Sequence, residues 1–245
     1  MHDIRLIFRH QLAMSLRSPL WMVVGLLQPL VYLAFFGPLL AGLPLGANSW
    51  QVYIPGLLVQ LALFGAAFVG FTVIADVRSG VIERLRVTPV SRAALLLGRV
   101  LRDVLLLVSQ AVLLLAVALI FGLRAPLPGV LLGLALVALL AASLAALSYA
   151  LAMATRNEES LAPLLNSVTV PLLLLSGILL PMSLAPAWLD IVSRLTPLRY
   201  VVDGIRAAFL GEYTNTAIPI AFAVAVGLAA LTIAWGTRLF RREAA

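Results

Sequence analysis

Residues 75–92, A-D-V-R-S-G-V-I-E-R-L-R-V-T-P-V-S-R, form the longest charged interruption in a chain that is otherwise mostly apolar. Very apolar stretches flank them, residues 54–74 before and 104–121 after. Asp76, Arg78, Glu83, Arg84, Arg86 and Arg92 are ionisable, so a segment strung between two membrane-length stretches must sit in water on one face of a bilayer. Its pattern is more specific than that of a plain loop. After Gly80, residues Val81, Ile82 and Leu85 share one helical face, Glu83, Arg84 and Arg86 take the other positions, and Pro89 stops the helix. A short amphipathic helix of that kind presents an apolar knob ringed by charge, which suits docking into a groove on a soluble partner. The plainer alternative is a solvated loop whose arginines serve only to set topology.

Composition defines the class. The chain is 63% hydrophobic and 11% charged, with mean hydropathy +1.10, which places it outside the range of soluble globular domains. Its 245 residues accommodate six spans of roughly 20 residues with short connections. All 17 basic residues are arginine, scattered between apolar stretches and not gathered into a patch, so they read as membrane anchors and not as a nucleic-acid footprint. No cysteine is present, which removes disulfides and thiol chemistry.

In chain order, residues 1–19 read as an interfacial helix, with Ile4, Ile7, Phe8 and Leu12 on one face beside Arg5 and Arg9, and with Leu6 and Leu16 off the stripe. The spans are expected at 20–41, 54–75, 95–122, 129–154, 162–181 and 217–237. The first is too long for a signal-peptide core. Between spans one and two, residues 42–53 read as an uncharged loop with Trp50 and Tyr53 in an aromatic belt. Arg99, Arg102 and Asp103 near the start of span three are costly unless they snorkel to the interface or pair with one another, and their place at the cytoplasmic end makes snorkelling the expectation. Residues 123–128 read as a tight turn holding Pro126 and Pro128. Span four carries small residues at close-packing spacing, among them Gly129, Gly133, Ala138, Ala142 and Ala146. Residues 155–161 read as a polar loop, and Pro171 and Gly177 as breaks in span five. Residues 182–216 are too apolar for a linker; two short helices, 187–194 and 200–210, are expected to fold back towards the membrane. Within them Asp190–Arg194 and Arg199–Asp203 stand four apart.

Thirteen arginines fall on the side holding both termini and residues 76–92, and four on the other, so the first side is expected to be cytoplasmic. The two histidines, His2 and His10, make no metal motif, and with no lysine a Walker A phosphate loop is impossible. If ATP drives this protein, another chain binds it. No carboxylate lies near mid-bilayer, which speaks against an ion-coupled carrier. Gln60, Gln110 and Asn166 are the candidates for a translocation path, with interhelical hydrogen bonding as the alternative for each.

These features together resemble the transmembrane subunit of type-2 ABC exporters, in particular the daunorubicin-resistance-like permeases. The resemblance covers nearly the whole chain and is carried most specifically by D-V-R-S-G-V-I-E-R-L-R-V-T-P-V-S-R (76–92) and L-T-P-L-R-Y-V-V-D-G-I-R-A-A-F-L-G (195–211). It implies an all-α membrane protein of six transmembrane helices with an N-terminal interfacial helix, a cytoplasmic coupling helix, and extracellular re-entrant helices between spans five and six. It implies ATPase coupling through Asp76, Arg78, Gly80, Val81, Ile82, Glu83, Leu85, Arg86 and Pro89, and an extracellular gate around Trp188, Pro197, Tyr200 and Asp203. The expected partners are a nucleotide-binding ATPase subunit, which holds the ATP and Mg, a second copy of the chain, and the lipid bilayer. The expected setting is a bacterial plasma membrane. The implied cargo is a hydrophobic small molecule or lipid; a polysaccharide or lipid-linked glycan is the alternative, as is an ATP-independent carrier or channel. Only Phe64, Phe68 and Phe71 supply aromatic rings in spans two and five, few for a sugar path.

Overall fold

In the computed structural model, residues 2–16, 20–41, 49–80, 92–155, 157–179 and 182–242 are described. Among them there are ten α-helices, one 3-10 turn and no strand. In chain order the helices are α1 (His2–Leu16), α2 (Leu20–Ala41), α3 (Ser49–Ala67), α4 (Gly70–Arg78) and α5 (Arg92–Ile120), then α6 (Leu127–Thr155), α7 (Glu158–Leu175), α8 (Ala187–Ser193), α9 (Pro197–Phe209) and α10 (Ala217–Arg242). Among the described residues four segments are long and apolar enough to cross a membrane: Ser49–Arg78, Ala93–Ile120, Leu127–Thr155 and Ala217–Leu239. A shorter apolar helix covers Val24–Gly37.

Helix α6 is the centre of the bundle, against which α3, α4, α5, α9 and α10 all pack. Its small-residue face does what its spacing predicts. A Cβ on Gly129 would stand 2.0 Å from the Ala208 carbonyl oxygen, and one on Gly133 would stand 2.8 Å from the Phe209 ring, so only glycine lets α9 lie this close. Tyr149, Leu136 and Leu140 on α6 are wholly buried with Ile54, Leu57 and Leu58 of α3 and Phe209 of α9. Outward faces are apolar, as lipid contact requires: Leu27, Phe35 and Leu39 on α2, Val168 and Leu174 on α7, Leu231 on α10. Helix α1 lies along α5, with Ile7 seated where Gly98 leaves room. Its Arg5 and Arg9 face outward.

Several local expectations are corrected. Residues 49–53 are not loop but the first turn and a half of α3. Trp50 fills the space left by Gly37 and tilts against Phe121 at 6.0 Å, while Tyr53 is buried and donates to the Tyr32 carbonyl at 3.3 Å. Packing, not the interface, takes these rings. Asp76 and Arg78 belong to α4, so helix continues into what read as a polar island. Pro128 sits in the first turn of α6, where a missing N–H costs nothing. Glu158 and Glu159 form the first turn of α7, capped by Asn157, whose side chain accepts from the Glu159 N–H at 3.0 Å, and carboxylates are favoured at that end of a helix. Helix α7 runs through Pro163 and Pro171 without breaking and ends before Gly177, which takes φ 72°. Each proline removes only one ladder bond, which apolar packing tolerates.

Candidate functional site: the charged base of the bundle

Gly80 closes α4. Its φ of 69° lies in the left-handed region that glycine enters without strain, and its N–H bonds the Val77 carbonyl at 3.1 Å. Of the residues assigned to the coupling helix, Val81, Ile82, Glu83, Leu85, Arg86 and Pro89 lie outside the described residues. What is described is the pair of helices from which that segment hangs, α4 on one side and α5 on the other.

At this end Arg99, Arg102 and Asp103 are paired inside the bundle, the alternative to the snorkelling that was expected of them. Arg99 is almost entirely buried (side chain 5% exposed), and its Nη2 meets Asp76 Oδ2 at 2.6 Å. Asp103 is equally buried; it accepts from the Tyr149 hydroxyl at 2.5 Å and pairs with Arg102 Nη2 at 2.8 Å. Arg102 also donates to Tyr149 Oη at 3.2 Å and to Ser15 Oγ at 3.1 Å. At the rim Arg78 meets Glu158 at 3.2 Å, with both side chains exposed. Three arginines thus face three carboxylates, and helices α1, α4, α5, α6 and α7 are joined by them. Buried charge is tolerable in a membrane protein when it is neutralised inside the bundle. Long side chains reaching for water would have left α1 and α4 untied.

Sequence reasoning found Asp76, Arg78, Arg99, Arg102 and Asp103 but missed Tyr149 and Ser15. A tyrosine in the middle of an apolar, alanine-rich helix was the available signal, because a buried phenol needs a partner.

The opposite end carries the second charged cluster. Asp190 on α8 binds Arg194 at 2.7 Å and Arg199 at 2.6 Å. Hydrogen bonds from Arg194, and then from Arg199, hold its carboxyl below the ordinary carboxylate value. Arg199 and Arg206 flank Asp203 at 3.6 and 3.5 Å. Buried Arg206 also donates to the carbonyls of Val52 (2.9 Å) and Gly177 (2.6 Å), which ties α9 to the start of α3 and the end of α7. Of the expected gate residues, Pro197 opens α9, Tyr200 donates to the Arg194 carbonyl at 2.9 Å, and Trp188 is exposed. The three path candidates are scattered: Gln60 is 1% exposed with neither amide atom hydrogen-bonded, Gln110 is buried beside Gly25, and Asn166 lies on the exposed face of α7.

An apolar helical bundle with its buried charges paired in clusters at two ends is a multi-pass membrane protein. Comparison with known proteins then sharpens the class. Residues 2–210 match the sequence model of the ABC-2 type transporter family, and the chain belongs to that family of ABC transporter permeases. It is 25% identical over 229 residues to the daunorubicin resistance ABC transporter permease protein DrrB1 of Streptomyces coeruleorubidus, covering 92% of this chain and 81% of that one. A protein named as a transport permease, ycf38, in Cyanophora paradoxa is 29% identical over 197 residues, 78% of this chain and 68% of its own. A protein named as a multidrug ABC transporter permease, YbhS, in Escherichia coli strain K12 is 28% identical over 167 residues, 67% of this chain and 44% of its own.

Proposed function

We propose that this chain is the transmembrane subunit of an ATP-driven exporter that moves a hydrophobic small molecule or a lipid out of the cell. It crosses the bacterial inner membrane six times, with α2 and α7 joining the four longest spans and both termini in the cytoplasm. It works as two copies with two separate ATPase subunits, which hold the ATP and Mg. The observation that carries this reading is the Asp76–Arg99 pair, because it couples the two helices on either side of residues 81–91.

The movement follows from that bracing. When the ATPase dimer closes, the groove holding Val81, Ile82 and Leu85 shifts. Helix α4 is dragged with it. Movement of α4 parts Asp76 from Arg99 on α5, and the Arg102–Asp103–Tyr149 cluster, whose own pairing is kept, passes the change at α5 to α1 and α6. A paired cluster suits this task, since it moves without stranding a buried ion within it. The cavity between the two copies then changes access, with α8 and α9 folded back as the re-entrant outer closure around Trp188, Pro197, Tyr200 and Asp203. Such switching requires two states that the nucleotide biases differently.

The test is uptake into inside-out membrane vesicles. Daunorubicin is the first probe, on the strength of the DrrB1 relative, and fluorescent lipids and a lipid-linked glycan follow. Accumulation that requires ATP hydrolysis supports the exporter reading. Accumulation that persists without ATP and follows an imposed ion gradient overturns it in favour of a carrier.

A further inference from the structure

The span Ser49–Arg78 is not one continuous helix: α3 stops at Ala67 and α4 starts at Gly70. No proline lies at the break. Instead the side chain of Ser148, from the C-terminal third of α6, enters it. Ser148 Oγ accepts from the Gly70 N–H at 2.9 Å and donates to the Ala67 carbonyl. One hydroxyl from another helix therefore satisfies a donor and an acceptor that a straight helix would satisfy through its own ladder. Beyond the break the ladder is tightened by one residue: Phe71 N–H bonds the Phe68 carbonyl at 3.3 Å and Thr72 N–H the Val69 carbonyl at 3.1 Å. The fit is close. A Cβ on Gly70 would stand 2.6 Å from the Ser148 carbonyl oxygen and 2.8 Å from its Oγ.

The Gly70 N–H and the Ala67 carbonyl thus have two ways to be satisfied, kinked through Ser148 or straight through the ladder, and in the straight state the Ser148 hydroxyl can turn back to the Leu144 carbonyl of its own helix. Such an exchange is close to neutral in free energy, because what is costly is an unmade bond and neither state leaves one. A side chain inserted into the i→i−4 ladder is also one of the recognised causes of a sharp helix bend. At the far end of α4 the Asp76–Arg99 pair holds the helix in its present direction.

We infer that Ser148 is a positioning residue for transport: its hydroxyl is the pivot on which α4 swings between kinked and straight states, and Asp76–Arg99 is the latch that closes in the kinked one. This rests on the exporter reading for its role in transport, but not for the two states themselves. Helix α4, nine residues and about 13 Å long, would carry Val77 by about 5 Å for a swing of roughly 20°.

The absence of cysteine makes the chain ready for paired spin labels. Cysteines at exposed Met14 on α1 and exposed Val77 on α4 report the swing in lipid nanodiscs by electron–electron distance measurement. With Ser148 present a single distance is expected. Ser148→Ala should add a second population displaced by about 5 Å, Ser148→Thr should keep the single distance, and Asp76→Asn should populate the displaced state by opening the latch. In the complex with its ATPase, a non-hydrolysable ATP analogue should drive the unsubstituted protein to that same displaced distance. Ser148→Ala should then transport at least about fivefold less per ATP hydrolysed, a loss within the ordinary range of coupling energies. If Ser148→Ala and Asp76→Asn both keep the single distance, the two-state break is wrong. If nucleotide moves α4 and Ser148→Ala changes neither distance nor transport per ATP, the pivot is wrong and the exporter reading stands. If no ATPase associates but both variants displace α4, the exporter reading fails and the two-state break survives.

Discussion

Arg99 on α5 and Asp76 on α4 meet at 2.6 Å with unequal exposure: the arginine is sealed inside the bundle, whereas 31% of the aspartate side chain reaches solvent. The pair spans the boundary between bundle and water, at the point where residues 81–91 leave α4.

Asp76→Asn removes the charge and leaves Arg99 buried without it. Transport is expected to fall roughly tenfold, equivalent to about 1.4 kcal/mol of lost coupling, while membrane insertion is unchanged. The double exchange Asp76→Arg with Arg99→Asp should recover part of the loss. Transport rates measured at equal membrane content for the unsubstituted chain and the two variants check this.

Tyr149→Phe takes from Asp103 its shortest hydrogen bond and from Arg102 an acceptor. A buried group left short of a partner costs about 1–3 kcal/mol, so thermal unfolding in nanodiscs should occur several degrees lower. Asp103→Ala, which strands Arg102, should cost more, about 3–5 kcal/mol. The order of the two melting temperatures decides the matter.

Gly129→Val tests the seat of α9. The added side chain meets the Ala208 backbone, which cannot give way as a flexible side chain would. A loss of about 1–3 kcal/mol is expected from such overpacking, with α9 loosened first. Faster hydrogen exchange over residues 197–209 than over α6 would show it.

The outer cluster should respond to acid. The Asp190 carboxyl is held below its ordinary value by Arg194 and Arg199, so its folded-state affinity for protons is weaker than in the unfolded chain. The stabilisation it supplies is therefore complete above the ordinary carboxylate value, about 3.9, and is lost as pH falls below that towards the folded-state value. Trp188 emission, read in a chain whose other tryptophans are replaced by phenylalanine, should change in that acid window and stay flat above it. Asp190→Asn should abolish the change.

Much of the helical architecture could be read from the chain because lipid demands it. Apolar runs of membrane length, the small-residue face at Gly129 and Gly133, and the pair of short helices of which Pro197 opens the second all follow from solvent and steric rules that act locally. What escaped were effects of neighbours remote in sequence. Nothing near Arg99 or Asp103 indicates that Asp76 and Tyr149 will come within hydrogen-bond distance, so snorkelling, the default for an isolated charge, was the natural expectation. Trp50 and Tyr53 have belt-like positions in sequence, yet the gap at Gly37 and the Tyr32 carbonyl draw them inside. The break at residues 68–69 has no proline or local signal in α3 strong enough to predict it; the hydroxyl seated in it is that of Ser148, some eighty residues later. The residues proposed to touch the ATPase, from Val81 to Pro89, rest on their helical pattern and the family resemblance.

Purification from native membranes in mild detergent tests whether this chain engages a separate ATPase through residues 75–92. A soluble nucleotide-binding subunit is expected to accompany the unsubstituted chain at one copy per permease and to hydrolyse ATP. Glu83→Arg should insert and fold normally yet lose that subunit or its stimulated activity. A permease that purifies without any ATPase, or a Glu83→Arg variant that retains full association and hydrolysis, would contradict it.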